Sequence, residues 1–251
     1  MVVAPLDGGR ITGLEVAGVE LLGGVGSGVI EHGSFLMAPW AGRIRDGVLR
    51  AAGVVHALPT VRTHPHAGHG LVMDLPWDVV EVSGTYLRIE RPLDSRWPFP
   101  GLVVQEFQLA EDHLEQRAQV HAAGEPFPAT VGWHPWFRRV LSSGAVAQLA
   151  FESAGMLVRD AAGIPGGELV AVPPGPWDDC FVGIRWPMTI TWPGAVTLQI
   201  SADTEFCVVY DERAEAFCVE PQSGPPDGPN TAPRIVTPGN PLIASTRWSW
   251  G

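Results

Sequence analysis

The stretch Leu102-Val103-Val104-Gln105-Glu106-Phe107-Gln108-Leu109, followed after a short break by Leu114-Glu115-Gln116-Arg117-Ala118-Gln119-Val120, decides the fold. In its second half Leu114, Ala118 and Val120 fall on one face of an extended chain, and Glu115, Arg117 and Gln119 on the other. A side-chain period of two belongs to a strand with one face in a core and one in water. Glu111-Asp112 between the halves marks the turn, so the two runs read as an antiparallel pair.

The same pattern recurs outward from there. Val79 to Val82, then Ser83-Gly84, then Thr85 to Glu90 reads as a hairpin. Met188–Trp192 and Val196–Ile200 flank a Pro193-Gly194 turn, and Phe206–Tyr210 and Phe217–Glu220 continue the series. The helical period never persists, because Pro or Gly interrupts it each time. The 24 Pro and 30 Gly are spread along the chain, with no repeat and no linker-like cluster. The expected fold is all-β, a large antiparallel β-sandwich of two broad sheets, in a single domain over residues 1–251.

Composition narrows the function. Arg supplies all 16 basic side chains against 27 Asp plus Glu, a net charge of −11. Nucleic acid and anionic membranes select a basic footprint, so neither is expected as a partner. The absence of Lys excludes Schiff-base chemistry. Trp186 to Ala202, the longest uncharged stretch, is broken by Pro187 and Pro193 and is too polar to span a membrane. Met1 to Gly13 shows no basic segment leading into an apolar run, so no signal peptide is expected. Cys180, Cys207 and Cys218 have neither disulfide-framework nor zinc spacing, and they read as small buried hydrophobes in a reducing cytoplasm.

No GxGxxG, P-loop or GxSxG is present, and no cofactor is expected. His64, His66 and His69 lie close enough in sequence to suggest zinc. Pro65 and Gly68 make that segment a loop without a fixed face, however, and no nearby Cys or carboxylate completes a ligand set. One working histidine with two incidental ones is expected there, and no metal. His134 stands among aromatics in Gly132-Trp133-His134-Pro135-Trp136-Phe137. Taken alone, it is either a packed strand-end residue or part of a pocket wall. Glu220 ends an apolar run before a Pro-rich loop, as a solvated strand end or a carboxylate aimed into a cleft. Arg43 and Arg45, and the pair Asp178-Asp179, are further polar candidates.

Five segments in order change the weight of these residues. They are Pro39-Trp40-x-x-Arg43-Ile44-x-x-Gly47; His69-Gly70-Leu71 followed by Trp77; Gly132-x-His134-Pro135-Trp136-Phe137; Asp178-x-x-Phe181; and Glu220-Pro221-x-x-Gly224-Pro225-Pro226-Asp227-x-x-Asn230. Together, over about residues 35 to 235, they resemble the aldose 1-epimerase (galactose mutarotase) family. The resemblance implies a galactose mutarotase-like β-sandwich with a monosaccharide in a cleft on one sheet. It implies Glu220 as general base toward the anomeric hydroxyl and His134 as general acid toward the ring oxygen. It implies His69 as a second histidine that binds sugar oxygens and stabilises the charge developing at ring opening, Arg43 as a donor to the sugar, and Asp178, with Asp179 as the alternative, as acceptor for its hydroxyls. Trp40 and Trp133 are expected to stack on the sugar. Two positions depart from the family pattern: Gly42 where the family usually has Asn, and His66 where it often has Asn. A hexose-6-phosphate epimerase, with Arg43, Arg45 and Arg62 near the phosphate, and a non-catalytic carbohydrate binder are the competing readings.

Overall fold

The computed structural model describes all 251 residues and consists almost entirely of strands. One sheet has nine strands, in the order Val2–Ala4, Arg10–Gly13, Ser34–Met37, Gly132–Arg138, Ala216–Gln222, Phe206–Tyr210, Asp178–Val182, Gly155–Arg159 and Pro165–Val170. The other has eight: Asp78–Val82, Tyr86–Pro92, Gly101–Leu109, His113–Ala122, Leu242–Trp250, Val196–Ala202, Arg185–Trp192 and Gln148–Glu152. Pairing within both sheets is antiparallel throughout. Helical structure is limited to the 3-10 turn Arg45–Gly47 and the short helix Gly228–Thr231.

The pair that decided the fold forms as read, with Leu102 opposite His121 and Leu109 opposite Leu114. Leu114, Ala118 and Val120 are buried; Gln116 shares their face and is buried too. Phe107, Val103, Ile190, Leu198 and Trp248 extend this inner surface. Trp133, Phe137, Val219, Val209 and Phe181 meet it from the nine-stranded sheet, and the Phe137 and Trp248 rings lie 5.2 Å apart between the sheets.

The two layers differ on their outer faces. His113–Ala122 alternates buried and accessible residues, as a half-covered strand should. Ala216–Gln222 is buried at every position, and Gly132–Arg138 at every position but the last. Loops cover these two strands from outside. One brings the two-residue strand Arg43–Ile44 against Ala67–Gly68. The Pro-rich loop after Glu220 is tied to it, since Asp227 N–H donates to Arg43 O at 2.7 Å. Asp227 Oδ1 accepts from Arg45 N–H and from Asn230 Nδ2, which also donates to Val48 O. The Asp and Asn of the Pro-Asp-x-x-Asn segment are therefore scaffolding for the arginine-bearing loop.

Candidate active site

The register of the central strands sets the floor of the site. Gly132 pairs with Gln222 and Trp136 with Cys218, which brings His134 level with Glu220. On the other side Val208 pairs with Glu220 and Tyr210 with Cys218, while Cys180 and Asp178 stand opposite Val208 and Tyr210. One row across the outer face thus reads His134, Glu220, Val208, Cys180, and the next reads Trp136, Cys218, Tyr210, Asp178. Residues two apart share a face and immediate neighbours do not.

Parity at Trp133 and burial at Trp40 overturn two expectations. Trp133, next to His134, points into the core and is 1% exposed. Trp40 is fully buried, stacks on Trp97 at 5.6 Å and donates from Nε1 to Ala67 O. Trp133 is core packing and Trp40 ties its loop to the neighbouring strand, so neither can stack on a ligand. Trp136, two residues from His134, lines the cleft instead, with its Nε1 donating to Ile30 O at 2.9 Å.

Glu220 and His134 face each other across the floor, Oε1 to Nε2 at 3.4 Å, and both are buried. Phe35 stacks on the His134 ring at 4.6 Å, and His69 meets that ring edge-on at 5.2 Å. The other ring nitrogen, Nδ1, lies 3.6 Å from Cys218 Sγ. Burial, reinforced by the Asp178 carboxylate, pushes the Glu220 carboxyl well above its usual range. Burial, with His69 nearby, holds the His134 imidazole well below its usual range. The two shifts converge, so a proton is divided more evenly between these two groups than between a free carboxylate and a free imidazole.

His69 is delivered from the roof. Its backbone is left-handed, φ 61°, and its N–H donates to Gly42 O at 2.7 Å. A non-glycine residue held there is strained, a condition that clusters at functional positions. Burial, then Arg43 and Arg62, push its imidazole down to about 3, although part of the ring remains open to the cleft. Arg43 reaches Asp178 Oδ2 at 3.5 Å. Arg159, which no motif marked, bonds Asp178 Oδ2 at 3.0 Å and Asp179 Oδ1 at 2.7 Å. Both aspartates therefore stand at the cleft inside an arginine clamp.

The three histidines of the 64–69 loop separate. His64 is exposed and His69 enters the cleft. His66 accepts from Asp46 N–H through Nδ1 and bonds Ala162 O through Nε2, at 3.0 and 2.9 Å. The departure at His66 is thus a tie between two roof loops. Gly42 lines the cleft with φ 62°, and a Cβ there would lie 3.2 Å from Pro226 Cγ. The donors close enough to consider for a metal are His134, Cys218 and Glu220, with ligand atoms all within 4.8 Å of one another. Cys218 and Glu220 share the strand Ala216–Gln222, and His134 joins them from Gly132–Arg138, a pairing of distant segments that no local spacing announced.

The cleft encloses about 280 Å³. Its lining includes the carboxylates of Glu31, Asp178, Asp179, Glu212 and Glu220 and the guanidinium groups of Arg43, Arg159 and Arg213. The family model for aldose 1-epimerase matches residues 1–247. The chain belongs to the aldose 1-epimerase family. No curated protein matches it in sequence. Among solved structures, a candidate aldose 1-epimerase from Escherichia coli K12 superposes with a TM-score of 0.86 at 21% identity, covering 99% of this chain and 94% of the other. A galactose mutarotase-like protein from Clostridium acetobutylicum gives 0.85 at 16% identity over 99% and 91%. A GalM/aldose epimerase homologue from C. elegans gives 0.83 at 15% over 99% and 94%. At these identities the neighbours establish the shared aldose 1-epimerase fold, the galactose mutarotase-like sandwich.

Proposed function

We propose that this family member is an aldose 1-epimerase that interconverts the α and β anomers of a free, uncharged aldose. The observation that carries the reading is the buried Glu220–His134 pair, facing each other at 3.4 Å on the cleft floor. Opening a cyclic hemiacetal removes a proton from O1 and delivers one to the ring oxygen. Glu220 takes the first and His134 supplies the second. The pair passes from carboxylate with imidazolium to carboxylic acid with imidazole, holding one proton of its own throughout. After rotation about the C1–C2 bond the same transfers run backward and close the ring as the other anomer. Opposed environmental shifts, carboxyl up and imidazole down, suit this exchange because they bring the two forms toward equal energy. Each positioned proton transfer contributes about 10²–10⁴-fold.

The remaining lining residues suit recognition of a polyol. His69, neutral at physiological pH, is placed beside His134 to bond a sugar oxygen. Arg43 donates and Asp178 accepts, held in a shared ion-pair network with Arg159. The charge balance favours a neutral sugar over a phosphorylated one. Arg43 and Arg159 are paired to aspartates, and the lining carboxylates outnumber its arginines. Arg45 and Arg62, the other cations considered for a phosphate, are paired to Asp160 and Asp74. A pure binding protein would gain nothing from a buried acid facing a buried base.

The test is polarimetry on freshly dissolved α-D-glucose, α-D-galactose and glucose 6-phosphate. The expected result is accelerated mutarotation of at least one free hexose with little action on the phosphate. No acceleration on any aldose defeats the reading, and a preference for the phosphate redirects it to the hexose-6-phosphate branch.

A further inference from the structure

Gln222 stands one step beyond Glu220 on the same face of strand Ala216–Gln222. Its amide Nε2 donates to Glu220 Oε2 at 3.1 Å, whereas His134 faces the other oxygen, Oε1. The two carboxylate oxygens are thus divided between an acid on one side and an amide on the other. Gln222 is 0% exposed, lines the cleft, and its own carbonyl oxygen Oε1 has no hydrogen-bond partner. Its place depends on Gly132 across the ladder, where a Cβ would sit 2.8 Å from Gln222 Cγ. An unpaired buried amide oxygen costs free energy, and a side chain kept for packing alone would be apolar there. Both halves of the amide therefore need a use. Only one is met within the protein.

We propose that Gln222 is a second polar contact of the sugar site: its N–H fixes the Glu220 carboxylate, and its carbonyl oxygen accepts from a hydroxyl of the bound aldose other than the anomeric one. The inference rests on the sugar-site reading above and extends it to a residue outside the acid–base pair. A sugar hydroxyl is the matching chemistry, because it offers an O–H donor to a lone acceptor in a cleft read as taking an uncharged aldose.

The test uses Gln222→Leu, with Gln222→Met as a second apolar variant of similar size, each checked by thermal unfolding. The expected result is a loss of about 10- to 100-fold in kcat/KM on the preferred hexose, as for a hydrogen bond to a charged group. Glu220 also loses a donor that stabilises its ionised form, so the limb of the kcat/KM profile that reports Glu220 moves to higher pH. A purely structural role would leave that limb in place. The Glu220 carboxyl carbon, followed by NMR, must titrate higher in the variant, a readout independent of turnover. A panel of monodeoxy analogues then tests the carbonyl oxygen. One analogue should be penalised in the wild type and react like its parent sugar in Gln222→Leu. Wild-type kcat/KM with an unmoved carboxyl titration overturns the positioning role, and deoxy penalties that all persist overturn the sugar contact. If the wild type turns over no aldose, the function reading fails by itself. The NMR titration and calorimetric binding of the same analogues still decide the role of Gln222.

Discussion

The strands Gly132–Arg138 and Ala216–Gln222 can be set against His113–Ala122 in the opposite sheet. All three are antiparallel and central. The strand of the eight-stranded sheet buries one face and wets the other, and its sequence alternates accordingly. The two strands of the nine-stranded sheet bury both faces, yet one face is apolar core and the other carries His134, Glu220 and Gln222. Buried polar groups on a sheet face are tolerated only where they are paired or serve a ligand. The comparison teaches that the site lies where burial and hydrophobicity part company.

The largest expected break in this contrast comes from Glu220→Gln. Mutarotation should fall by roughly 10³-fold or more, because the base is lost while the shape is kept. Glu106→Gln, on the outer face of the opposite sheet where Tyr86 and Gln119 bond it, should leave the rate unchanged. Polarimetry on both variants checks the pair of outcomes, and near-wild-type rates in Glu220→Gln would end the mechanism.

Next in size is Trp133→Ala. The residue next to His134 is core, so its truncation should cost about 3–5 kcal/mol of stability by urea unfolding. At a temperature where the variant is folded, KM should move little. A large rise in KM with intact stability would restore Trp133 to the sugar.

A smaller effect is the pH dependence of stability, which should run in opposite directions for the acid and the histidines. Glu220 has a raised folded value, so the unfolded chain releases its proton first as pH climbs above about 4.5, and stability is lost from there upward. Glu220→Gln should therefore raise the melting temperature at pH 7, with the gain shrinking toward pH 4.5. His69 is lowered to about 3, so below roughly 6.5 the unfolded chain binds the extra proton and stability falls until about pH 3. His69→Asn, which tolerates the left-handed backbone, should flatten that acid slope. Melting curves at half-unit pH intervals would show an unchanged slope if His69 already carries a proton near neutrality.

The smallest effect expected is that of Gly42→Asn. A carboxamide there adds a hydrogen bond to a sugar hydroxyl remote from C1, made equally in ground and transition states, so KM falls by about 2- to 10-fold with kcat steady. The contact with Pro226 and the positive φ make a modest loss of stability part of the same outcome. A higher KM for glucose and galactose would mark Gly42 as space for a different sugar.

The eight-stranded sheet was legible because water on one face writes itself into the residue pattern: the hairpin at Ser83-Gly84 and the pair meeting at Leu109 and Leu114 form as read. On the nine-stranded sheet the motifs carried the reading and the pattern did not. Trp40 and Trp133 lie in the core and not against a sugar, because a tryptophan beside a motif carries no sign of which way it points, whereas parity alone sends Trp133 inward. The same parity, counted two residues from His134 and from Glu220, points to Trp136 and Gln222, both of which line the cleft. Arg159 had no local signal. It comes to the aspartates only because Gly155–Arg159 pairs beside Asp178–Val182.

The cysteines, first read as inert fillers, acquire a use from where they fall. Cys180, Cys207 and Cys218 sit on three adjacent strands around Glu220, all free, all buried, and all with burial raising the thiol out of the reactive range. Cys180 borders the cleft, Cys207 faces the core, and Cys218 lies behind His134. An alkylating reagent therefore finds no target until this part of the sheet parts. The order in which the three react is a clock for local opening, and a bound sugar should slow Cys180 and Cys218 more than Cys207.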